Sequence, residues 1–228
     1  MMKNMISQIQ SQEHENKPLI LRFFFNGRSP SRLEVTMQGL FQSLICQFLQ
    51  QDRHLLQTFL PLYRRKINMH GTDWVWHAEE LKEVFRDLCL HQCRSPLFVV
   101  LDALDECDAG DVREIVEFFQ DLLRLPAPEV GVIRVCLSSR YYPTIHVESC
   151  LEIHLDKHNK PDIIRYIERW LQPNDIVPGF RRLATEILKR ASGVFLWVVL
   201  VVNTLIKDET KEKPCNACCK LSRTFQNS

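Results

Sequence analysis

Four carboxylates in close succession, Asp102, Asp105, Glu106 and Asp108, follow directly on the apolar run Leu97-Phe98-Val99-Val100-Leu101. Acid at the carboxyl end of a buried strand is chemically informative. In open α/β sheets ligands sit in the crevice beyond the strand ends, and a carboxylate held there can anchor a hydrated Mg²⁺ that bridges nucleotide phosphates. On that reading Asp102 holds the metal through water, while Asp105 or Glu106, about one helical turn further on, orients an attacking water towards a γ-phosphate. Arg140, at the end of a second apolar run, is the candidate for sensing or stabilising phosphate charge. Two plainer readings stay open at this point. The acids could cap the N-terminus of a following helix, and Arg140 could make a surface ion pair with them.

These side chains need elements to position them. An uninterrupted apolar run this short, with Pro96 just before it, reads as a parallel strand covered on both faces. Pro18 to Phe25 reads as a second strand that stops at the turn Asn26-Gly27, and Val132 to Leu137 as a third that runs into Ser138-Ser139-Arg140. Leu151 to Leu155 reads as a short fourth strand. Helical spacing marks Met2, Met5, Ile6 and Ile9, and then a helix from near Ser31 that buries Leu33, Met37, Leu40, Phe41, Leu44, Ile45, Phe48 and Leu49. A further helix is expected over Arg53 to Lys66, an irregular connection over Ile67 to His77, and a stripe at Leu81, Val84, Phe85 and Leu88. Asp111 is expected to cap a helix that buries Val112, Ile115, Val116, Phe119, Leu122 and Leu123 and ends at Pro126 and Pro128.

This alternation predicts an α/β fold: a parallel sheet with helices on both faces, the acidic strand lying between the other two long ones. Beyond Asp156 the pattern turns helical. Asn159 is expected to cap a helix with Ile163, Ile164, Ile167, Trp170 and Leu171 inward, and two more helices follow around Gly193. The predicted organisation is an α/β core over 1–157, a small all-helical lobe over 158–207 and a disordered tail over 208–228.

Composition bounds the function. Lys and Arg number 29 against 28 Asp and Glu, leaving a net charge of +1. No global field then favours nucleic acid or an anionic membrane. The most apolar window, Val194 to Val202, is too short to span a bilayer. Nine cysteines are spread through the chain instead of forming a dense framework, and the opening residues lack the apolar core of a secretory signal, so a reduced, cytoplasmic compartment is expected. Cys89 and Cys93 around His91 lack a second ligand pair at a zinc-like spacing. Cys215, Cys218 and Cys219 sit in the polar tail, where palmitoylation or metal binding competes with an unselected carboxyl end. Cys107 beside Glu106 has no nearby histidine to activate it.

Several motifs recur in a familiar order: Phe23-Phe24-Phe25 with Gly27-Arg28, a helix carrying Gly39-Leu40-Phe41-Gln42-Ser43-Leu44, Asp102-Ala103-Leu104-Asp105-Glu106-Cys107, Ser138-Ser139-Arg140, Asp162-Ile163, and Gly193-Val194-Phe195-Leu196-Trp197-Val198. From Met1 to Ile206 the chain resembles the fungal NACHT, or nephrocystin-like N-terminal, domain of STAND-class P-loop NTPases. The acidic strand resembles that family's Walker B segment. The resemblance implies a P-loop NTPase-type sheet and a nucleotide-dependent signalling switch that binds Mg-ATP, of the kind used in fungal nonself recognition and programmed cell death. Implied partners are other NACHT-type or signalling proteins.

The chain departs from the family at its start. It contains no G-x-x-x-x-G-K-[ST], and the first glycine is Gly27. Met1-Met2-Lys3-Asn4 resembles the residues immediately after the Ser/Thr of the family's P-loop, so the expectation is a domain truncated just after that loop, with the first strand missing. Without the loop no convergent backbone N–H groups and no lysine are available to the phosphates. Defective ATP binding is therefore expected. The alternative is a non-enzymatic interaction module or fragment that docks onto intact relatives.

Overall fold

The run Leu97–Asp102 is the middle strand of a parallel sheet in the computed structural model, which describes residues 2–11, 17–71, 74–92, 95–125, 132–140, 147, 150–171 and 180–209. The strands are β1 (Leu19–Phe24), β2 (Leu97–Asp102) and β3 (Ile133–Leu137), in the order β1-β2-β3. Leu19 to Phe24 lie opposite Leu97 to Asp102, and Leu97 to Leu101 opposite Ile133 to Leu137. The expected parallel pairing and the central place of the acidic strand are both present.

Alternation along the strands divides the core. Leu19 and Leu21 of β1 and Leu97, Val99 and Leu101 of β2 face the main core, while Val100 faces the other way, onto Met2 and Ile6 of helix α1 (Met2–Ser11). The main core is filled from α2 (Met37–Gln51), α4 (Ala78–Asp87) and α5 (Ala109–Arg124), with α3 (Arg53–His70) contributing Leu55. At its centre Phe41 meets Phe118 edge-on at 4.8 Å between ring centroids and Phe85 at 5.7 Å. Phe41, Phe48, Phe85 and Phe119 are fully buried, each contributing roughly 1.5–3 kcal/mol of transfer free energy.

Several local expectations are corrected. The helix expected from Ser31 begins at Met37, because Arg32–Glu34 forms a single 3₁₀ turn and leaves Leu33 exposed. Thr36 caps α2, its hydroxyl accepting from the Gly39 N–H. Asp111 does not cap its own helix, whose N-cap position is Asp108; its carboxylate accepts from the Met37 N–H of α2 at 2.7 Å. Orphan donors at a helix start need an acceptor, and here it comes from 74 residues downstream. On α5 the inward aromatic includes Phe118, while Leu123 points out. Helix α3 runs on to His70, past the expected end at Lys66, and terminates at Gly71 with φ +83°. Pro126 and Pro128 lie outside the described residues.

The second unit, Cys150–Ser228, is described by itself. The strand expected at Leu151 to Leu155 is absent: residues 151–154 are irregular and Leu155–His158 is a one-turn helix, α6. Leu151 is 92 % exposed. An alternating segment becomes a strand only beside a pairing neighbour, and among the described residues this unit has none. Its core joins α7 (Lys160–Leu171), α8 (Phe180–Ala191) and α9 (Phe195–Glu209) through Ile163, Ile167, Ile187, Val198 and Val202. Trp170, expected inward, is exposed on the last turn of α7. Asn159 precedes α7 as expected, but its side-chain amide donates to the Gly193 carbonyl at 3.1 Å. The tail from residue 210 lies outside the described residues.

Gly39 gives a direct test of the α2 start. A Cβ there would lie 1.7 Å from the Leu33 carbonyl oxygen, so the backbone would have to move. Gly39→Ala should lower stability by about 2–3 kcal/mol. Gly110→Ala, with nothing within 4 Å of the new methyl, should be neutral or stabilise by up to about 1 kcal/mol. Urea unfolding of the two variants measures the contrast.

Candidate functional site

At the end of β2 the backbone turns sharply. Ala103 has φ 56° and ψ 45°, a left-handed conformation that costs a residue with a Cβ about 1 kcal/mol or more. The turn is held by β3: Leu104 N–H donates to the Ser138 carbonyl at 2.9 Å, and Ser138 N–H donates to the Leu101 carbonyl at 2.9 Å. The Ser138 hydroxyl donates to Asp102 Oδ1 in a short hydrogen bond, and Ala103 N–H lies 3.2 Å from both oxygens.

The further acids reach Arg140, Gly27 and Arg32. Asp105 takes the Arg140 N–H at 3.0 Å on one oxygen and Arg140 Nε at 2.5 Å on the other. Its side chain is 5 % exposed while that of Arg140 is 75 % exposed, so the carboxylate is sealed beneath a solvated guanidinium. Glu106 sits 3.6 Å from an Arg140 terminal nitrogen, and its other oxygen accepts from the Gly27 N–H at 2.9 Å. Asp108 pairs with Arg32 at 2.9 Å, and its N–H donates to the Val35 carbonyl. The predicted residues Asp102, Asp105, Glu106 and Arg140 thus come together at one end of the sheet. Of the two readings left open for Arg140, the ion pair with the acids is the one this geometry contains.

Ser138, which the sequence pattern does not mark as a site residue, belongs to the cluster. Its signal was positional: it is the first polar residue after β3, in register just beyond Leu101↔Leu137 and therefore beside Asp102. Asp111 and Gly27 carried no comparable signal, since their partners are far away in the chain.

The fit to Mg-ATP divides in two. Asp102 has one oxygen engaged by Ser138 and Ala103, which leaves its other oxygen for a cation held through water, the usual protein share of a Mg²⁺–phosphate site. Among the described residues no group of three or more His, Cys, Asp or Glu side chains is placed to hold a metal ion. On the phosphate side the sequence offers no glycine-rich loop with its lysine. Asp102 alone offers an open carboxylate oxygen on the metal side, and the residues present do not fit the triphosphate.

Other candidates recede. Cys107 is buried, and burial, together with the charges of Asp111 and Asp108, pushes its thiol up to about 12. Burial likewise raises the Cys136 thiol, with a smaller contribution from Asp102. Cys89 is buried in the main core, whereas Cys93 and Cys215, Cys218 and Cys219 lie outside the described residues. No helix among the described residues is long and apolar enough to cross a membrane.

Residues 1–140, more than half of the chain, match the family described as Nephrocystin 3, N-terminal. The matched span ends at Arg140 and so contains every residue of the acid cluster. No curated protein and no solved structure matches the chain.

The thiol geometry yields a prediction. With a pKa of about 12, Cys107 is thiolate in only about one molecule in 10,000 at pH 8. Iodoacetamide at that pH should label the exposed Cys46 and spare Cys107 in the folded chain. Peptide mass spectrometry reads both sites, and urea should make Cys107 reactive.

Proposed function

We propose, for a chain that belongs to the Nephrocystin 3 N-terminal family, a regulatory role: it is the acid-bearing part of a NACHT-type, STAND-class signalling switch whose residues, with no glycine-rich phosphate loop among them, are not competent to bind or hydrolyse ATP. The parallel sheet with acids at its carboxyl end supports a P-loop NTPase-type core over 1–157, with a helical lobe over 158–207. A bound Mg²⁺ would neutralise phosphate charge in such a site. In this reading Asp102 is the metal-side acid, Asp105 and Glu106 are the residues that would position water, and Arg140 is the one that would sense phosphate.

The observation that carries the proposal is the clasp between the last three. Both Asp105 oxygens are engaged by Arg140, and Glu106 is shared between Arg140 and Gly27. For these acids to address a water, Arg140 must first let go. The clasped arrangement is an inactive state of the switch. The same clasp supports a second reading, a non-enzymatic module that docks onto NACHT-type or signalling partners, because it engages the strand-end acids with the fold itself.

Affinity separates the readings from an intact NTPase. A phosphate cradle contributes several charge-assisted hydrogen bonds of roughly 1.5–3 kcal/mol each, and lacking three of them weakens binding by about three to six orders of magnitude. Calorimetric titration of the purified chain with Mg-ATP should show no saturable heat up to about 1 mM, near −4 kcal/mol of binding free energy. Micromolar binding that disappears in Asp102→Asn would overturn the proposed incompetence. Association with a NACHT-type protein that is unaffected by nucleotide would favour the docking reading.

A further inference from the structure

Among the described residues strand β1 is an edge strand, yet its outer edge is hydrogen-bonded. Leu19 and Phe25 donate towards β2, to the Pro96 and Asp102 carbonyls, so by strand alternation the backbone groups of Ile20 and Arg22 point away from the sheet. Those groups meet two side chains of α2. Ile20 N–H donates to Gln51 Oε1 at 3.2 Å, and Gln51 Nε2 donates back to the Ile20 carbonyl at 3.0 Å. Arg22 N–H donates to Gln47 Oε1 at 3.0 Å, and Gln47 Nε2 donates back to the Arg22 carbonyl at 2.8 Å.

Each primary amide thus offers β1 what the peptide group of a neighbouring strand would offer, one acceptor and one donor. The spacing makes this possible. Four residues of α-helix advance about 6 Å, and two residues of strand about 6.6 Å, so side chains at i and i+4 of α2 fall opposite alternate residues of β1. The amides are themselves steadied from within the helix, Gln47 by the Ser43 carbonyl and hydroxyl and Gln51 by the Gln47 carbonyl. Beside the edge lie Ile6 and Gln10 of α1 and Lys17. Ile20, Arg22, Gln47 and Gln51 line an open groove of about 520 Å³.

We infer that Gln47 and Gln51 act as a surrogate strand that ends the sheet at β1 and closes this edge to a second copy of the chain. The need is physical. Leu19-Ile20-Leu21-Arg22-Phe23-Phe24 is apolar, aromatic and has a single charge, the composition that makes an unguarded edge a template for pairing. Two neutral amides satisfy the backbone in place and add no charge to a groove that Lys17 and Arg22 already line.

The test replaces both residues in the full chain with methionine, which keeps side-chain length and helix propensity but removes the amide. In Gln47→Met/Gln51→Met the backbone amides of Ile20 and Arg22 should exchange with solvent deuterium at least about tenfold faster at low protein concentration, a change of about 1.4 kcal/mol or more in opening free energy. Leu21 and Phe23, which face β2, should keep their protection. As concentration rises the variant should self-associate in light scattering, while the parent chain and Gln50→Met, on the same helix but outside the pair, do not. If the double variant fails to fold, Gln51→Met alone should expose Ile20 and leave Arg22 protected. Unchanged exchange at Ile20 and Arg22 in a folded variant would overturn the inference. So would a variant no more prone to association than Gln50→Met.

Discussion

A strand buried on both faces has no water to satisfy its backbone, so each of its N–H and C=O groups must be matched by a neighbouring strand. Strand β2 is in that position, with Leu97, Val99 and Leu101 against the main core and Val100 against α1. The requirement makes β1 and β3 obligatory partners, and their parallel direction follows from the helical crossovers that connect the strands. It also moves the problem outward by one strand. At β1 the solution is the pair of glutamine amides, which satisfies the outer backbone without a further strand.

The same strand explains why the acids lie where they do. Where β2 leaves the core its chain must turn, and the left-handed Ala103 makes that turn at a local cost that the surrounding hydrogen bonds offset. Asp102, Asp105, Glu106, Asp108 and Asp111 then reach in turn to Ser138, Arg140, Gly27, Arg32 and Met37. Those residues belong to the end of β3, the turn after β1 and the approach to α2. The acid cluster ties three segments, remote from one another in sequence, to the end of the central strand. The side chains proposed for metal and phosphate chemistry and those of the structural clasp are the same set.

How legible this was depended on the range of the interaction. The continuous apolar run of β2 and the helical stripe from Met37 to Phe48 are local patterns, and both predicted their elements. The convergence of Asp102, Asp105, Glu106 and Arg140 followed from placing two strand ends side by side. Pairings across long sequence separations leave no local trace: Asp111 reads as the cap of its own helix, and nothing in the sequence singles out Gln47 and Gln51. Leu151 to Leu155 shows the opposite failure, since its alternation was real but a strand is a property of a pair. Leu33 fell on the apolar stripe of α2, yet Thr36 and the close approach to Gly39 set the helix start beyond it.

The central claim is that in this state the strand-end acids are held by the fold, and Asp105 is the sharpest case because its side chain is sealed beneath Arg140. A carboxylate kept free for catalysis commonly costs stability, so its removal leaves a protein as stable or more so. One that serves as a tie behaves the other way. Urea unfolding of Asp105→Ala against the parent chain measures this directly. The account predicts a loss of about 1–2 kcal/mol, from one hydrogen bond to a backbone N–H and one to an exposed guanidinium. Unchanged or increased stability would contradict it.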